Sequence, residues 1–181
     1  MRICIVNSFY PPWRGGAETY ASNLSRQLVM HGHEVEVLCA SPPREPGSYR
    51  IDEVRITRMP VTGWLYGTPI LSRLPQRLLQ LRADLIHAGF PSPYNAFCAS
   101  LISLVTHTPS VLTWHNDLPP VTAAAKALVY AHNNFILPAY IRNFEAIIST
   151  SSRYAKSSQT LRKHFGRVRI IPNGVDCQRF H

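Results

Sequence analysis

The stretch "RICIVNSFYPPWRGGAETYASNLSRQLVMHGHEVEVLCA", residues 2–40, decides the fold. It opens on a short apolar run, passes two prolines and a tryptophan, and starts a helix on the pair Gly15–Gly16. Ala17, Tyr20, Ala21, Leu24 and Leu28 then recur at helical spacing, and Gly32 ends the stripe. A second apolar run, "EVEVLC" (34–39), follows. Strand, helix and strand in that order make the unit of a parallel sheet, because parallel strands need a long crossover.

The same alternation continues outward. The runs "VRITRM" (54–59), "DLIHAG" (84–89), "SVLTWH" (110–115), "EAIIST" (145–150) and "VRIIP" (168–172) read as further strands. Several are almost continuously apolar, as strands covered on both faces should be. Helices are predicted over 94–107, over 121–135 with an uneven continuation past Pro138, and over 152–165. Residues 41–50, "SPPREPGSYR", and 60–69 read as loops. The fold class is therefore α/β, a doubly wound parallel sheet of about seven strands with no internal repeat. Such sheets hold ligands beyond the carboxyl ends of their strands, where strand order reverses. Those positions are 7–16, 39–41, 89–94, 115–120, 151–152 and 173–176.

Composition narrows the class. A chain of 181 residues, 45% hydrophobic and 16% charged, suits one globular domain. Its apolar runs fall short of the ~20 residues that span a bilayer, and "FCASLISLV" (97–105) suits a buried helix. The start, "MRICIVN", enters a strand directly, which predicts neither signal nor transit peptide and a cytosolic protein. Cys4, Cys39, Cys98 and Cys177 are scattered without zinc spacing, and Cys4 and Cys39 read as core thiols. The net charge is +9, and seven of the 19 basic residues lie in 151–181, opposed there only by Asp176. That balance fits phosphates, anionic lipid or nucleic acid as partners, and equally a solvated basic face.

Gly15 and Gly16 sit where a helix start offers free N–H groups and partial positive charge, a place for phosphate. Glycine removes the Cβ that would block the approach. The same pair also suits a tight loop-to-helix turn, with Glu18 complementing the helix dipole. The dinucleotide fingerprint G-x-G-x-x-G and the Walker loop are both absent.

Five pieces, "YPPWRGGAETYASNLSRQLVMHGHEVEVLC", "DLIHAG", "VLTWHND", "IISTSSRYAKS" and "RIIPNGVDCQRF", stand in the order and spacing of one family. Together they resemble the N-terminal half of a glycosyltransferase family four enzyme of the GT-B architecture. The resemblance spans essentially the whole chain. It implies two Rossmann-like domains facing across a cleft, the N-terminal one binding acceptor and the C-terminal one holding a nucleotide-sugar donor. It implies that Gly15 and Gly16 contact donor phosphate from across the cleft and that His115 contacts the donor sugar near the reacting carbon. It also implies transfer with retention and no metal or other cofactor, and this sequence contains no Asp-x-Asp pair.

The resemblance has a limit. The sequence ends at "NGVDCQRFH", where the family's linker enters the second domain. The family's paired donor-binding glutamates belong to that domain, and Glu45 and Glu53 share their spacing only by chance. Residues 1–172 are thus expected to be the acceptor-side domain and 173–181 the start of a linker. The donor-binding domain is a partner outside this chain, and the fragment alone is expected to be inactive.

Tyr10, Arg14, Asn116 and Lys126 are added as candidate cleft contacts, to acceptor or sugar. From the residues alone His115 reads first as a strand-end histidine bonded to a carbonyl, and its place at the ligand edge of the sheet together with the family resemblance reverses that reading. Asn116 or Asp117 suits sugar hydroxyls or the capping of a turn. His31 suits the negative end of the first helix, and Asn173–Gly174 a tight turn. In 64–82, Ile70, Leu71, Leu74, Leu78 and Leu81 with Arg73 and Arg77 suit either an anionic membrane surface or a helix packed on the sheet. Pro75 interrupts a long helix there, which favours packing.

The reading is a domain of a retaining enzyme moving a hexose from a nucleotide sugar to a lipid-linked or polysaccharide acceptor. It would work in the cytoplasm, with peripheral contact at the inner membrane face. The alternatives are a basic nucleic-acid-binding domain of the same fold and a nicotinamide-dependent oxidoreductase domain. The first lacks any recognition motif and the second lacks the fingerprint, so no nucleic acid is expected.

Overall fold

A computed structural model describes residues 1–41, 44–118 and 122–174. Strand β1 (Arg2–Val6) lies in the middle of an eight-stranded sheet. Helix α1 (Gly16–Met30) carries the chain to β2 (Glu34–Ala40), which pairs parallel to β1 from Arg2↔Glu34 to Val6↔Leu38. The helix stops at Gly32, whose φ of +81° lies in the left-handed region. His33 N–H bonds Leu28 O at 3.0 Å and Gly32 N–H bonds Val29 O at 2.9 Å, which closes the last turn. His31 Nδ1 lies 2.8 Å from Gln27 O at that helix end.

Beyond β2 lie β3 (Gly47–Ile51) and β4 (Val54–Met59), then a separate hairpin of β5 (Gly63–Leu65) and β6 (Thr68–Ile70). Helix α2 (Leu74–Leu81) leads to β7 (Leu85–Phe90), and α3 (Pro93–Thr106) to β8 (Ser110–Trp114). Helices α4 (Ala123–Ala131) and α5 (Leu137–Ile141), joined by a π-turn at His132–Ile136, precede β9 (Ala146–Ser149). Two short helices, α6 (Ser152–Ser157) and α7 (Gln159–Lys163), and a 3₁₀ turn precede β10 (Val168–Ile170). The strand order is β10-β9-β8-β7-β1-β2-β4-β3, parallel except for β3 against β4. The chain thus winds outward on one side of β1 and restarts on the other with β7.

Period-two alternation divides the core in two. Ile3 and Ile5 join Val35, Val37, Cys39, Val54 and Ile56 under α1. Cys4 and Val6 face the opposite way, with Leu38, Ile86, Ala88 and Leu112, under α2, α3 and α5. Burial pushes the Cys39 thiol up to about 12 and raises that of Cys4 further still, so both stay protonated in the core. Cys98 is buried too, and Cys177 lies outside the described residues.

Four sequence expectations are corrected. The segment 41–50 ends in strand β3, which makes eight strands and not seven. Its register, Ile51↔Val54, leaves Asp52 and Glu53 as a two-residue turn with φ of 49° and 63°. Both left-handed, they form the hairpin turn usually written Asn-Gly, so the signal was weak. The segment 60–69 contains the β5 and β6 hairpin, turned by Tyr66 and Gly67 at φ 52° and 74°. The helix expected over 152–165 breaks at Ser158, whose hydroxyl accepts from Leu161 N–H at 3.1 Å and donates to Asp117 at 2.8 Å. In 64–82 the helix begins only at Leu74, with Pro75 in its first turn, where a missing N–H costs nothing.

That helix packs on the sheet through Leu74 and Leu78, as the packing alternative held. Arg77, however, does not stand in solvent: it bonds the nearly buried Glu36 at 2.7 Å. The uneven passage at Pro138 is observed as the π-turn, with Leu137 N–H reaching back to His132 O. Proline has no N–H to continue the α-helical ladder there. Of the predicted linker 173–181, residues 175–181 lie outside the described part, as do Pro42, Pro43 and 119–121.

Candidate functional site

Strand order reverses between β1 and β7, and a cavity of about 200 Å³ opens there. Asn7, Ser8 and Phe9 line it from the end of β1, and Gly89 to Ser92 from the end of β7. Ala17 and Glu18 come from the first turn of α1, Thr68 from β6, Trp13 from the β1–α1 loop, and His115 from the end of β8. A larger hollow of about 330 Å³, lined by Arg2, His33, Glu36 and Arg55, lies at the opposite edge of the sheet. Ligands of α/β sheets sit at the carboxyl edge, so the smaller cavity is the candidate.

The chain has to be thin where β1 and β7 meet. A Cβ on Gly89 would fall 2.9 Å from Asn7 Oδ1. Asn7 itself is pinned, donating to Phe9 O at 2.9 Å and Ala17 O at 3.4 Å, which ties the strand end to the start of α1. Arg58, buried at the end of β4, donates to Tyr10 O at 3.5 Å and also bonds Pro11 O. A buried guanidinium thus holds the loop that delivers Gly15. Sequence gave no hint of it, because Arg58 reads like any strand arginine.

The two glycines behave differently. Gly15 is the N-cap of α1 at φ −164°, extended backbone open to any residue, and no side chain caps the helix. A Cβ there would collide with the Glu18 carboxylate, which folds back over the first turn. That is the tight-turn alternative, with Glu18 answering the dipole. A Cβ on Gly16 would meet nothing within 4 Å. Neither contact nor backbone conformation demands glycine at that position, and its flank is open to a ligand.

His115 follows β8, its N–H bonded to Phe90 O at 3.0 Å and its ring edge-on to Tyr20 at 5.0 Å. Burial pushes its pKa down to about 4, so the imidazole is neutral near pH 7. Behind it, His87 is enclosed and also lowered to about 4, by burial first and by His115 second. His87 Nε2 lies 2.7 Å from Thr113 Oγ1, which is 3.3 Å from the Tyr20 hydroxyl. This polar string links α1 to the end of β8.

The other candidates scatter. Tyr10 is corrected: it is 1% exposed beneath α1, its hydroxyl bonded to Ser25 at 2.8 Å, and it faces the core. Arg14 is exposed just before Gly15, Asn116 is exposed beside His115, and Lys126 is exposed on α4. Asp117 is occupied internally, accepting from Trp114 Nε1 at 3.1 Å and from Ser158. Among the described residues no group of three metal-ligating side chains forms, and no helix is long and apolar enough to cross a membrane.

A mostly parallel sheet of this order, with its cavity at the carboxyl edge, is a Rossmann-like domain of the GT-B type. The chain belongs to Glycosyltransferase Family 4, whose profile matches residues 14–179. It is 25% identical over 179 residues to the O-antigen chain mannosyltransferase C of Escherichia coli, covering 97% of this chain and 46% of that protein. It is 27% identical over 203 residues to the alpha-monoglucosyldiacylglycerol synthase of Acholeplasma laidlawii, covering 100% of this chain and 48% of that protein. The Anabaena protein HepE in complex with UDP-glucose has the same fold, with a TM-score of 0.60 at 14% identity, over 97% of this chain and 44% of that one. The chain spans about half the length of the curated relatives it matches.

Proposed function

We propose that this chain is the acceptor-side domain of a retaining glycosyltransferase. The enzyme moves a hexose from a nucleotide sugar to a hydroxyl on a lipid-linked or polysaccharide acceptor. One observation carries the reading: a single cavity at the strand-order reversal joins the first turn of α1 to a neutral His115. The N–H groups of that first turn, beside the open flank of Gly16, receive donor phosphate as charge leaves with it. The uncharged imidazole of His115 exchanges hydrogen bonds with a sugar hydroxyl without repelling positive charge that builds on the reacting carbon. Arg14, Asn116 and Lys126 do not line the cavity and are kept as candidates for acceptor or sugar contacts beyond it. No metal or other cofactor takes part. The nucleotide sugar is supported by the UDP-glucose bound to HepE, and the hexose by the mannosyl and glucosyl names of the relatives.

Donor contacts need a second domain, which follows residues 1–172 and a linker beginning at 173. The test is the complete enzyme with a panel of nucleotide hexoses and lipid-linked or glycan acceptors, the product anomer read by NMR. Transfer with retained configuration is expected, and none from the 181-residue chain alone. Inversion, or turnover by the chain alone, overturns the reading.

A cytoplasmic enzyme touching an anionic membrane is a second reading, favoured by the outer face of α3. That helix has no charged residue and exposes Phe97, Leu101, Leu104 and Val105, on a chain of net charge +9. Sedimentation with phosphatidylglycerol vesicles is expected, with release by salt because screening acts within about 8 Å at physiological ionic strength. Equal sedimentation with neutral vesicles removes the electrostatic part.

A further inference from the structure

Two tryptophans far apart in sequence, Trp13 and Trp64, meet the same ring. Phe9 stacks on Trp13 with centroids 4.4 Å apart and planes 13° from parallel. Trp64 lies 6.3 Å from the same Phe9 ring, tilted by 35°. Phe9 is buried, whereas Trp13 is 43% and Trp64 58% exposed. An indole left that open is not there to fill a core, and two of them sharing one buried support form a platform. The platform stands at the rim of the candidate cavity, since Phe9 and Trp13 line it and Trp64 sits on the hairpin whose Thr68 lines it.

A second observation points into the same cavity. Ser92 lines it, is 2% exposed, and its hydroxyl has no hydrogen-bond partner. A buried hydroxyl without a partner costs free energy that a ligand group can recover. Aromatic faces beside such a hydroxyl describe a ligand that is apolar on its ring face and polar at its edge. A pyranose has that form: axial C–H groups lie on the electron-rich face of an indole while equatorial hydroxyls reach outward. An acyl chain would use the rings and leave Ser92 unpaired.

We infer that Trp13, Phe9 and Trp64 form a sugar-stacking subsite, with Ser92 as a hydroxyl partner, and that the accepting end of the acceptor is a pyranose. This rests on the cavity being the transfer site. Trp64 and Trp13 are then specificity residues, and the β5–β6 hairpin is the acceptor arm of the domain.

The test uses tryptophan fluorescence of the 181-residue chain, titrated with mannotriose, maltotriose or chitotriose while iodide quenches exposed indoles. Trp114 is buried and serves as the silent internal reference. Saturable protection by at least one trisaccharide is expected. Trp64→Ala and Trp13→Ala should each weaken it roughly tenfold, and Ser92→Ala should weaken it with the indole signal intact. If a tryptophan variant misfolds by circular dichroism, oxidation of the wild-type indoles by N-bromosuccinimide, slowed by the same sugar, answers the question. No protection by any trisaccharide overturns the subsite, as does protection undiminished in the tryptophan variants. Protection by phosphatidylglycerol vesicles alone assigns the rings to lipid and likewise overturns it. In the complete enzyme the same variants should raise acceptor KM and leave donor KM unchanged. An unchanged acceptor KM sinks the subsite but not the transferase, whereas sugar binding without any transfer does the reverse.

Discussion

Gly16→Val in the complete enzyme should fold normally and lose at least about tenfold in transfer, as one or two charge-assisted hydrogen bonds to phosphate are lost. The fold survives because a Cβ at this position meets nothing within 4 Å. Valine is no worse a helix former than glycine, with roughly a few tenths of a kcal/mol in its favour, so propensity does not oppose the change. It stands instead in the space through which an oxygen would reach the first-turn N–H groups. Thermal midpoint, nucleotide affinity and turnover have to be measured together. Loss of turnover and affinity at an unchanged midpoint supports phosphate at this helix start. Unfolding would mean that the pair is structural, and normal transfer would place the phosphate elsewhere. Gly15→Ala is the contrasting variant, because its new methyl displaces the Glu18 carboxylate and so tests the turn and not the ligand.

Acid should unfold the domain in a window set by two histidines. His87 and His115 are both held down to about 4 by burial, against 6.5 for an exposed imidazole. Between those values the unfolded chain binds protons that the folded chain refuses, so stability falls as pH falls. Above 6.5 neither group contributes, and below 4 the loss is complete. At about 1.4 kcal/mol per pH unit, the enclosed His87 alone removes roughly 3 kcal/mol across the window. That is a large part of the ~5–15 kcal/mol that holds a domain together. The check is the thermal midpoint from pH ~7 down to ~4, beside His87→Gln, whose amide replaces the ring toward Thr113 without titrating. The variant should show a flatter profile. Asp84 acts separately: the Arg2 N–H first, and its guanidinium second, hold that carboxyl low, so its contribution fades only below the usual carboxylate range. An unaltered slope in His87→Gln would assign the acid loss to groups other than His87, namely His115, the burial-lowered His132 and His164, or carboxylates.

What the sequence determined by itself was everything carried by short periods. Apolar runs placed the parallel strands, the stripe from Ala17 to Leu28 placed α1, and Gly32 its end. The rule that ligands sit past carboxyl strand ends already pointed to Asn7, Gly89, Ser92 and His115. Tertiary structure decided what depends on partners distant along the chain. The turns at Asp52–Glu53 and Tyr66–Gly67 carry little local signal, and pairing with β4 and between β5 and β6 settles them. Tyr10 looked like a cleft residue, yet the bond to Ser25 turns it inward under α1. Arg58 carries no local sign of burial, and only the folded chain brings the carbonyls of Tyr10 and Pro11 to its guanidinium. Trp13 and Trp64 share Phe9 only because the hairpin folds over the end of β1. A period of two or 3.6 residues is written in neighbouring side chains, whereas a contact across fifty residues depends on how every intervening element packs.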